Sequence, residues 1–411
     1  MAEPNPFAYA HASHSDWRIA CAQCVELLAQ RSRGAVGHQG PTETLGFVYL
    51  TDAYASYASD ILASLRIGTG VAHWVGTVGL GICATDVEYL DEPALVVMLA
   101  DLPAGSFSVF SGTRPTPAHD KRTASGAIAA HAALVHADPA APDLPDLLLD
   151  MASKLESGWV FGGLSSARGN GVQIANETLT GGGVYGSGLS GAVFSSEVHM
   201  MARVTQGCHP LRTREGHAIT EGERHVVETL DGQPALDVLL QELHVESPND
   251  LVRHPRLSGG LFVGLSAGDD TVLGDDYLVR HVVALDPSRR AIGIAGEVEP
   301  GQRMVFCTRD AEAAQQDLVR ICTELREEVE HEAAVLSARA GGEGPIAPPR
   351  MRGALYFSCV GRGASLFGGQ GEELRLIRKH LGDVPLVGFY ANGEIARHRL
   401  YGYTGVLTVF V

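Results

Sequence analysis

A glycine-rich turn wedged between an aliphatic strand and a short helix constrains this chain more than any other feature. Ala354 to Cys359 reads as a strand, Gly361-Arg362-Gly363-Ala364-Ser365-Leu366-Phe367-Gly368-Gly369 as the turn, and an amphipathic helix starts near Gly371. A second strand, Val384 to Tyr390, is broken by Ala391-Asn392-Gly393-Glu394, and a third, Gly405 to Val411, closes the unit. Polar and charged residues thus fall where strands end and a helix begins, the usual ligand position in an open α/β sheet. None of them spells a standard catalytic motif, so the pattern favours binding over chemistry.

The same grammar recurs upstream. Leu45 to Leu50, a helix over Ser56 to Leu65, the strand around Val75 to Ile82 and the aliphatic Ala94 to Ala100 parallel the C-terminal unit. Gly158 to Ser166 likewise parallels Gly259 to Ser266. With 411 residues, too many for one average domain, the expectation is an α/β protein of two related domains, with mixed β-sheets flanked by helices and an internal duplication. The turn chemistry at Asp231-Gly232-Gln233-Pro234 marks the boundary. The expected segments are an N-terminal extension and helix over 1–44, a first domain over 45–234 and a second over 235–411.

Between these landmarks, Ser15 should cap a helix over Asp16 to Gln30 with an apolar stripe of Trp17, Ala20, Cys21, Cys24, Leu27 and Leu28. Asp143 to Leu155 and Ala235 to Leu243 read as helices, and Asp310 to Leu336 as the longest one. Trp159 to Val198 reads as short strands with hairpins. Gly260 to Leu265, Tyr277 to Leu285, Ile292 to Ala295 and Arg303 to Cys307 read as strands. Gly105 to Ser125 reads as a loop and Gly341 to Pro349 as a linker.

Charge argues about partners. Against 31 Lys and Arg stand 48 Asp and Glu, a net charge of −17, and no basic run marks a nucleic-acid footprint. Apolar stretches such as Ala94 to Ala100 are too short to span a bilayer. Met1 to His14 has neither the basic nor the apolar segment of a secretory signal. Seven scattered cysteines suit free thiols in a reducing compartment. A cytoplasmic location is expected, with neither nucleic acid nor membrane as partner.

Several constellations suggest chemistry. His11, His14, Cys21 and Cys24 have ligand types suited to zinc, but both cysteines fall on the apolar stripe and the chain has one such Cys-x-x-Cys, so packing explains them better. Gly264-Leu265-Ser266-Ala267-Gly268 has the spelling of a nucleophile elbow, yet Asp269 to Gly274 after it lacks a helical stripe. Gly76, Gly79 and Gly81 leave no room for a crossover helix before the next strand, and Gly-Lys-Ser or Gly-Lys-Thr does not occur, which argues against nucleotide loops. His209, before Pro210, reads as a turn residue. No cofactor or metal is expected.

Arg362 stands apart. At a helix N-terminus, free backbone amides and the helix dipole favour an anion, and a guanidinium adds a bidentate carboxylate contact. The alternative is an arginine paired with a structural acid. Glu394, at a strand end, suits an ammonium group, whereas the bland reading is a solvated acid beside an Asn392-Gly393 turn. The candidate ligand-binding set is Cys359, Arg362, Gly363, Asn392, Gly393 and Glu394.

Five blocks resemble the FIST family of sensory proteins, with its N-terminal and C-terminal FIST regions. They are Gln206-Gly207-Cys208-His209-Pro210, Leu230-Asp231-Gly232-Gln233-Pro234-Ala235, Phe357-Ser358-Cys359-Val360-Gly361-Arg362-Gly363, Gly388-Phe389-Tyr390-Ala391-Asn392-Gly393-Glu394-Ile395 and Tyr401-Gly402-Tyr403-Thr404-Gly405. The resemblance implies a cytoplasmic small-ligand-binding module of signal transduction, with an amino acid or related metabolite as ligand and no catalytic residues to carry over. No kinase, cyclase or receptor segment is recognisable, so output would pass to a separate signalling protein. Two other classes compete: a hydrolase of small amides or esters using Cys359 or Ser266, and a non-catalytic scaffold.

Overall fold

The computed structural model describes residues 6–32, 42–112, 129–169, 171–180, 182–212, 215–251, 254–257, 259–266, 277–339 and 350–411. The expected linker at Gly341 to Pro349, most of the loop at Gly105 to Ser125 and the segment after Ser266 lie outside them. The protein is α/β, with helices flanking mixed sheets, and it divides into two compact units. One comprises Met1–Thr205, Leu318–Leu400 and Gly405–Val411, the other Gln206–Asp317 and Tyr401–Thr404.

The larger unit repeats one motif. In its first copy, β1 (Thr42–Thr51) leads through α1 (Ala58–Thr69) to β2 (His73–Gly79), and β3 (Ala94–Pro103) closes it. β1 pairs in parallel with β2 and antiparallel with β3. A second copy has β4 (Ala132–Ala137), α2 (Leu144–Ser153), β5 (Trp159–Leu164) and β6 (Leu189–Phe194) in the same relation. The third has β7 (Gly353–Cys359), α3 (Glu372–Leu381), β8 (Leu386–Ala391) and β9 (Thr404–Phe410). The repetition expected between the segments at Leu45 and Leu355 is therefore present, and the middle copy extends it to three.

Each copy sits in a six-stranded sheet of the same order. Outside the closing strand lies a leading strand: Ala8–Ser13 beside β3, Phe107–Phe110 beside β6, and Met200–Gln206 beside β9. Outside the second strand lies a hairpin, and this hairpin is exchanged. Gly81–Ala84 and Val87–Leu90, which follow β2, join β8. Glu394–Ala396, which follows β8, joins β5, and Gln173–Asn176, which follows β5, joins β2. The exchange is cyclic, so no copy completes its sheet from its own chain segment.

One glycine per copy explains how tightly the parallel strands approach. Gly76, Gly162 and Gly388 pair with Val48, Val135 and Tyr356. A Cβ at these glycines would come within 1.7, 1.9 and 1.7 Å of the carbonyl oxygens of those residues. The next residues along the first strands, Tyr49, His136 and Phe357, are fully buried and meet one another, with ring centroids 5.5, 6.0 and 6.3 Å apart. The shared core thus gathers the same position from each copy. As buried parallel strands require, β1, β4 and β7 are almost continuous apolar runs.

Trp17–Ser32 forms the expected first helix, but Asp16 caps it: its Oδ1 accepts from the Arg18 amide at 2.9 Å, which Ser15 does not. Leu27, counted in its stripe, is 36% exposed, while Trp17, Ala20, Cys21, Cys24 and Leu28 are buried. In the stretch expected to form hairpins, Gln173–Asn176 and Val184–Tyr185 do so, whereas β5 and β6 both flank β4.

The smaller unit is a closed antiparallel barrel. Arg303–Arg309 pairs with His217–Glu223, and the ring continues through Val226–Leu230, Ala291–Ile294, Leu278–Asp286 and Phe262–Leu265 back to Arg303–Arg309. Closure removes the exposed edges that an open sheet would carry. Asp231 and Gly232, both at positive φ, make the two-residue turn between Val226–Leu230 and Gln233–Pro234, and the expected helix Ala235–Leu243 follows. The likeness drawn between Gly158–Ser166 and Gly259–Ser266 fails, because β5 runs parallel to its neighbour β4 while Phe262–Leu265 is antiparallel to both of its own. His209 lies in the short strand Cys208–Pro210, not in a turn.

Candidate polar site at the carboxyl ends of β7 and β8

The glycine-rich turn lies where the sequence puts it, at the carboxyl end of β7. Arg362 closes a tight turn by donating its amide to the Cys359 carbonyl at 2.8 Å, and Gly363 enters the one-turn helix Ala364–Phe367 at φ 57°. Gly371, at φ 73°, then caps α3. Glycine suits both positions because other residues seldom adopt positive φ.

The Arg362 side chain is fully buried. Its Nε donates to Glu373 Oε1 at 2.9 Å, and its guanidinium lies 5.1 Å from the Phe367 ring centroid. Glu373, also fully buried, accepts the Tyr356 hydroxyl at 2.6 Å and the Ser358 hydroxyl at 3.1 Å. Burial opposes the arginine's charge, but Glu373, Tyr356 and Glu394 outweigh it and hold its pKa above the ordinary value.

A second acid completes the cluster. Glu88, from the exchanged hairpin, accepts the Gly371 amide through Oε1 at 2.8 Å, and its Oε2 takes the Tyr390 hydroxyl. The anion expected at the N-terminus of α3 is therefore this protein carboxylate, seated where amide and dipole favour negative charge. Burial, then Glu373, Cys83 and Glu88, push the Tyr390 phenol well above its usual pKa. Burial and the same two acids do likewise to the Cys83 thiol.

Of the six residues singled out from the sequence, Cys359, Arg362, Gly363, Gly393 and Glu394 are buried at this end of the sheet, whereas Asn392 is exposed. Glu394 lies on Glu394–Ala396, opposite Gly163 of β5, and is close enough to Arg362 to stabilise its charge. Gly393, at φ 134°, would bring a Cβ to 3.0 Å from Leu400 and 3.1 Å from Leu164.

The sequence reading missed Glu88, Glu373, Tyr356, Ser358 and Tyr390. Glu373 carried a signal: it is four and eight residues before Ile377 and Leu381, on the buried stripe of α3. A polar layer beside the cluster was also missed. Ser166 bonds the Leu80 amide at 2.9 Å and donates to the Tyr390 carbonyl, and Thr77 and Ser165 pair at 2.7 Å. Ser166 thus ties together the strand ends of all three copies.

Apart from Cys359, the residues considered for chemistry belong to other elements. Ser266 Oγ accepts the Arg303 amide at 3.1 Å in the barrel unit. His11 Nδ1 is 2.6 Å from the Tyr89 hydroxyl, and Cys21 and Cys24 are buried free thiols. Among the described residues no helix is long and apolar enough to cross a membrane.

The sequence matches the FIST N domain over residues 44–233 and the FIST C domain over 235–397. It is 30% identical over 393 residues to an uncharacterized protein of Mycobacterium tuberculosis, an alignment that covers 90% of this chain and 92% of that one. An uncharacterized protein of Mycobacterium bovis is also 30% identical, over 396 residues with the same coverage. FIST domains are associated with sensory roles in signal transduction. By these matches, spanning most of its length, the chain belongs to the FIST family.

Proposed function

We propose that this protein is a cytoplasmic sensor that binds a small amino-bearing metabolite, an amino acid or a close relative, at the carboxyl ends of β7 and β8. Its state then passes to a separate signalling protein. The observation that carries this reading is a buried carboxyl cluster: Glu88, Glu373 and Glu394 gather with the buried guanidinium of Arg362 at the strand ends. A carboxylate in so enclosed a setting is a strong receiver for a ligand ammonium, because a charge-assisted hydrogen bond is worth more there than in water.

Arg362 serves here to hold Glu373 and the turn in place, and Glu394 receives the ammonium. Entry requires the segment from Gly361 to Gly371 to lift, with its positive-φ glycines Gly363, Gly368 and Gly371 as the pivots. The seven cysteines, all buried, form no disulfide with one another, which suits a reducing compartment.

A thermal-shift screen of amino acids tests the reading. A ligand at a hundred times its Kd adds about 2.7 kcal/mol of stability, a rise of roughly 3 to 4 °C for a protein of this size. That rise is expected with the natural chain and is lost in Glu394→Gln. An equal rise in both proteins would remove Glu394 from the site.

A further inference from the structure

His217 opens the strand His217–Glu223 of the smaller unit, and each of its ring nitrogens meets a carboxylate. Nδ1 lies 2.7 Å from Oδ2 of Asp231, in the two-residue turn after Val226–Leu230, and Nε2 lies 2.7 Å from Oε1 of Glu242, in the helix Ala235–Leu243. A neutral imidazole has one N–H and one lone pair, so it can donate to only one of them. Toward the other it would set a lone pair against an anion. Two contacts of this length require the imidazolium.

The charges around the ring come from three elements. Asp231 belongs to the turn, Glu242 to the helix, and Arg303 to the strand Arg303–Arg309, where it acts on Asp231 and donates from Nη1 to the Gly216 carbonyl at 2.6 Å. Phe306 of the same strand brings its ring centroid to 6.5 Å from that of His217. Hydrogen bonding to Glu242, joined by Asp231, holds the His217 pKa above its ordinary value although burial opposes it.

The two carboxylates depend on the ring unequally. Asp231 also accepts the Ala218 amide, through Oδ1 at 2.9 Å. Glu242 stands in the last turn of its helix, which has no basic residue, and there the helix dipole disfavours an anion. The first turn is held separately, by Arg290 Nε donating to Asp237 Oδ1 at 2.8 Å and by the Leu236 amide donating to the Arg290 carbonyl at 3.0 Å. Loss of one ring proton therefore frees Glu242 and loosens the last turn alone.

From this geometry we infer that His217 is a proton-operated clasp on the end of the helix Ala235–Leu243, closed while the ring carries both protons and open once it loses one. Its sign is that of a histidine stabilised in its charged form. The clasp contributes fully below the ordinary pKa of about 6.5 and is lost as pH rises through the higher folded-state value. The inference is independent of the polar cluster at the carboxyl ends of β7 and β8.

Ring ¹⁵N resonances of the full chain labelled at histidine follow the proton directly, with His217→Gln identifying the signals that matter. At about pH 6.5, where an ordinary histidine is half neutral, His217 is expected mostly with both nitrogens protonated. Its midpoint should lie above that value and fall back toward it in Glu242→Gln. Amide exchange over residues 240–245, corrected for its intrinsic pH dependence, reads the clasp itself. Protection there is expected to fall about tenfold across the measured midpoint, the value of one charge-assisted hydrogen bond, and by less than about twofold in Glu242→Gln. A His217 midpoint at or below about 6.5, or one unmoved by Glu242→Gln, overturns the inference. So does protection that stays constant across the midpoint, or that falls equally in Glu242→Gln.

Discussion

Replacing Arg362 with methionine is expected to destabilise the protein by about 3–5 kcal/mol, because it strands the Glu373 carboxylate in the core. Glu373 keeps the Tyr356 and Ser358 hydroxyls as donors but loses its cation, and neither side chain of the pair has any solvent exposure to compensate. Against a typical net stability of about 5–15 kcal/mol this is a large fraction. Urea midpoints of Arg362→Met, Glu373→Gln and the double variant measure it. The double variant should recover more than half of the loss, since Gln still accepts the Tyr356 hydroxyl without a buried charge. A single variant within about 1 kcal/mol of the parent would show that the pair is dispensable. The same result warns against Arg362→Ala as a probe of ligand binding, because loss of fold and loss of ligand would look alike.

Acidification is expected to weaken the fold through His136. Burial holds this imidazole's pKa at about 3, whereas in the unfolded chain it titrates near 6.5. Between those values the unfolded state binds the extra proton. Stability therefore rises with pH across that window and is lost on acidification below about 6.5, by about 1.4 kcal/mol per pH unit from this group. Lowering the pH from 7 to 5 should cost about 2 kcal/mol. His136→Phe places there the residue found at the matching position of the third copy, Phe357, and should remove this part of the slope. It gives up the contact of Nε2 with the Tyr49 hydroxyl at 3.3 Å, so its stability at pH 7 need not exceed the parent's. Urea midpoints from pH 5 to 8 for both proteins decide the matter, and parallel pH profiles would contradict the assignment.

The sequence showed the elements better than their assembly. β7, β8 and the turn between them were legible because an apolar run, a glycine cluster and an amphipathic helix each have a distinct period. The repeat between the first and third copies was legible for the same reason. The middle copy was not: β4 follows residues 113–128, β5 carries two consecutive glycines, and neither announces a parallel pair. The cyclic exchange of hairpins was invisible, since Gly81–Ala84 bears no mark that its partner is β8, some 300 residues away. The barrel strand His217–Glu223 is half charged or polar, so its alternation is weak.

At the site, Arg362 and Glu394 stood out because charges beside glycines at strand ends are conspicuous. Glu88 and Tyr390 did not, because what joins them in the cluster is the hairpin exchange that brings Glu88 to the start of α3. The acid for Arg362 was within reach of the sequence: Glu373 is an anion on an apolar helical face, and such a residue needs a cation nearby.

The central claim is that the buried carboxyl cluster at β7 and β8 recognises an ammonium group. Calorimetric titration tests it most directly, using the amino acid most stabilising in the thermal screen and its deaminated analogue, which keeps the carbon skeleton and the carboxylate. The account predicts saturable heat for the amino acid, abolished in Glu394→Gln, and none for the analogue. Equal affinity for the two compounds would contradict it.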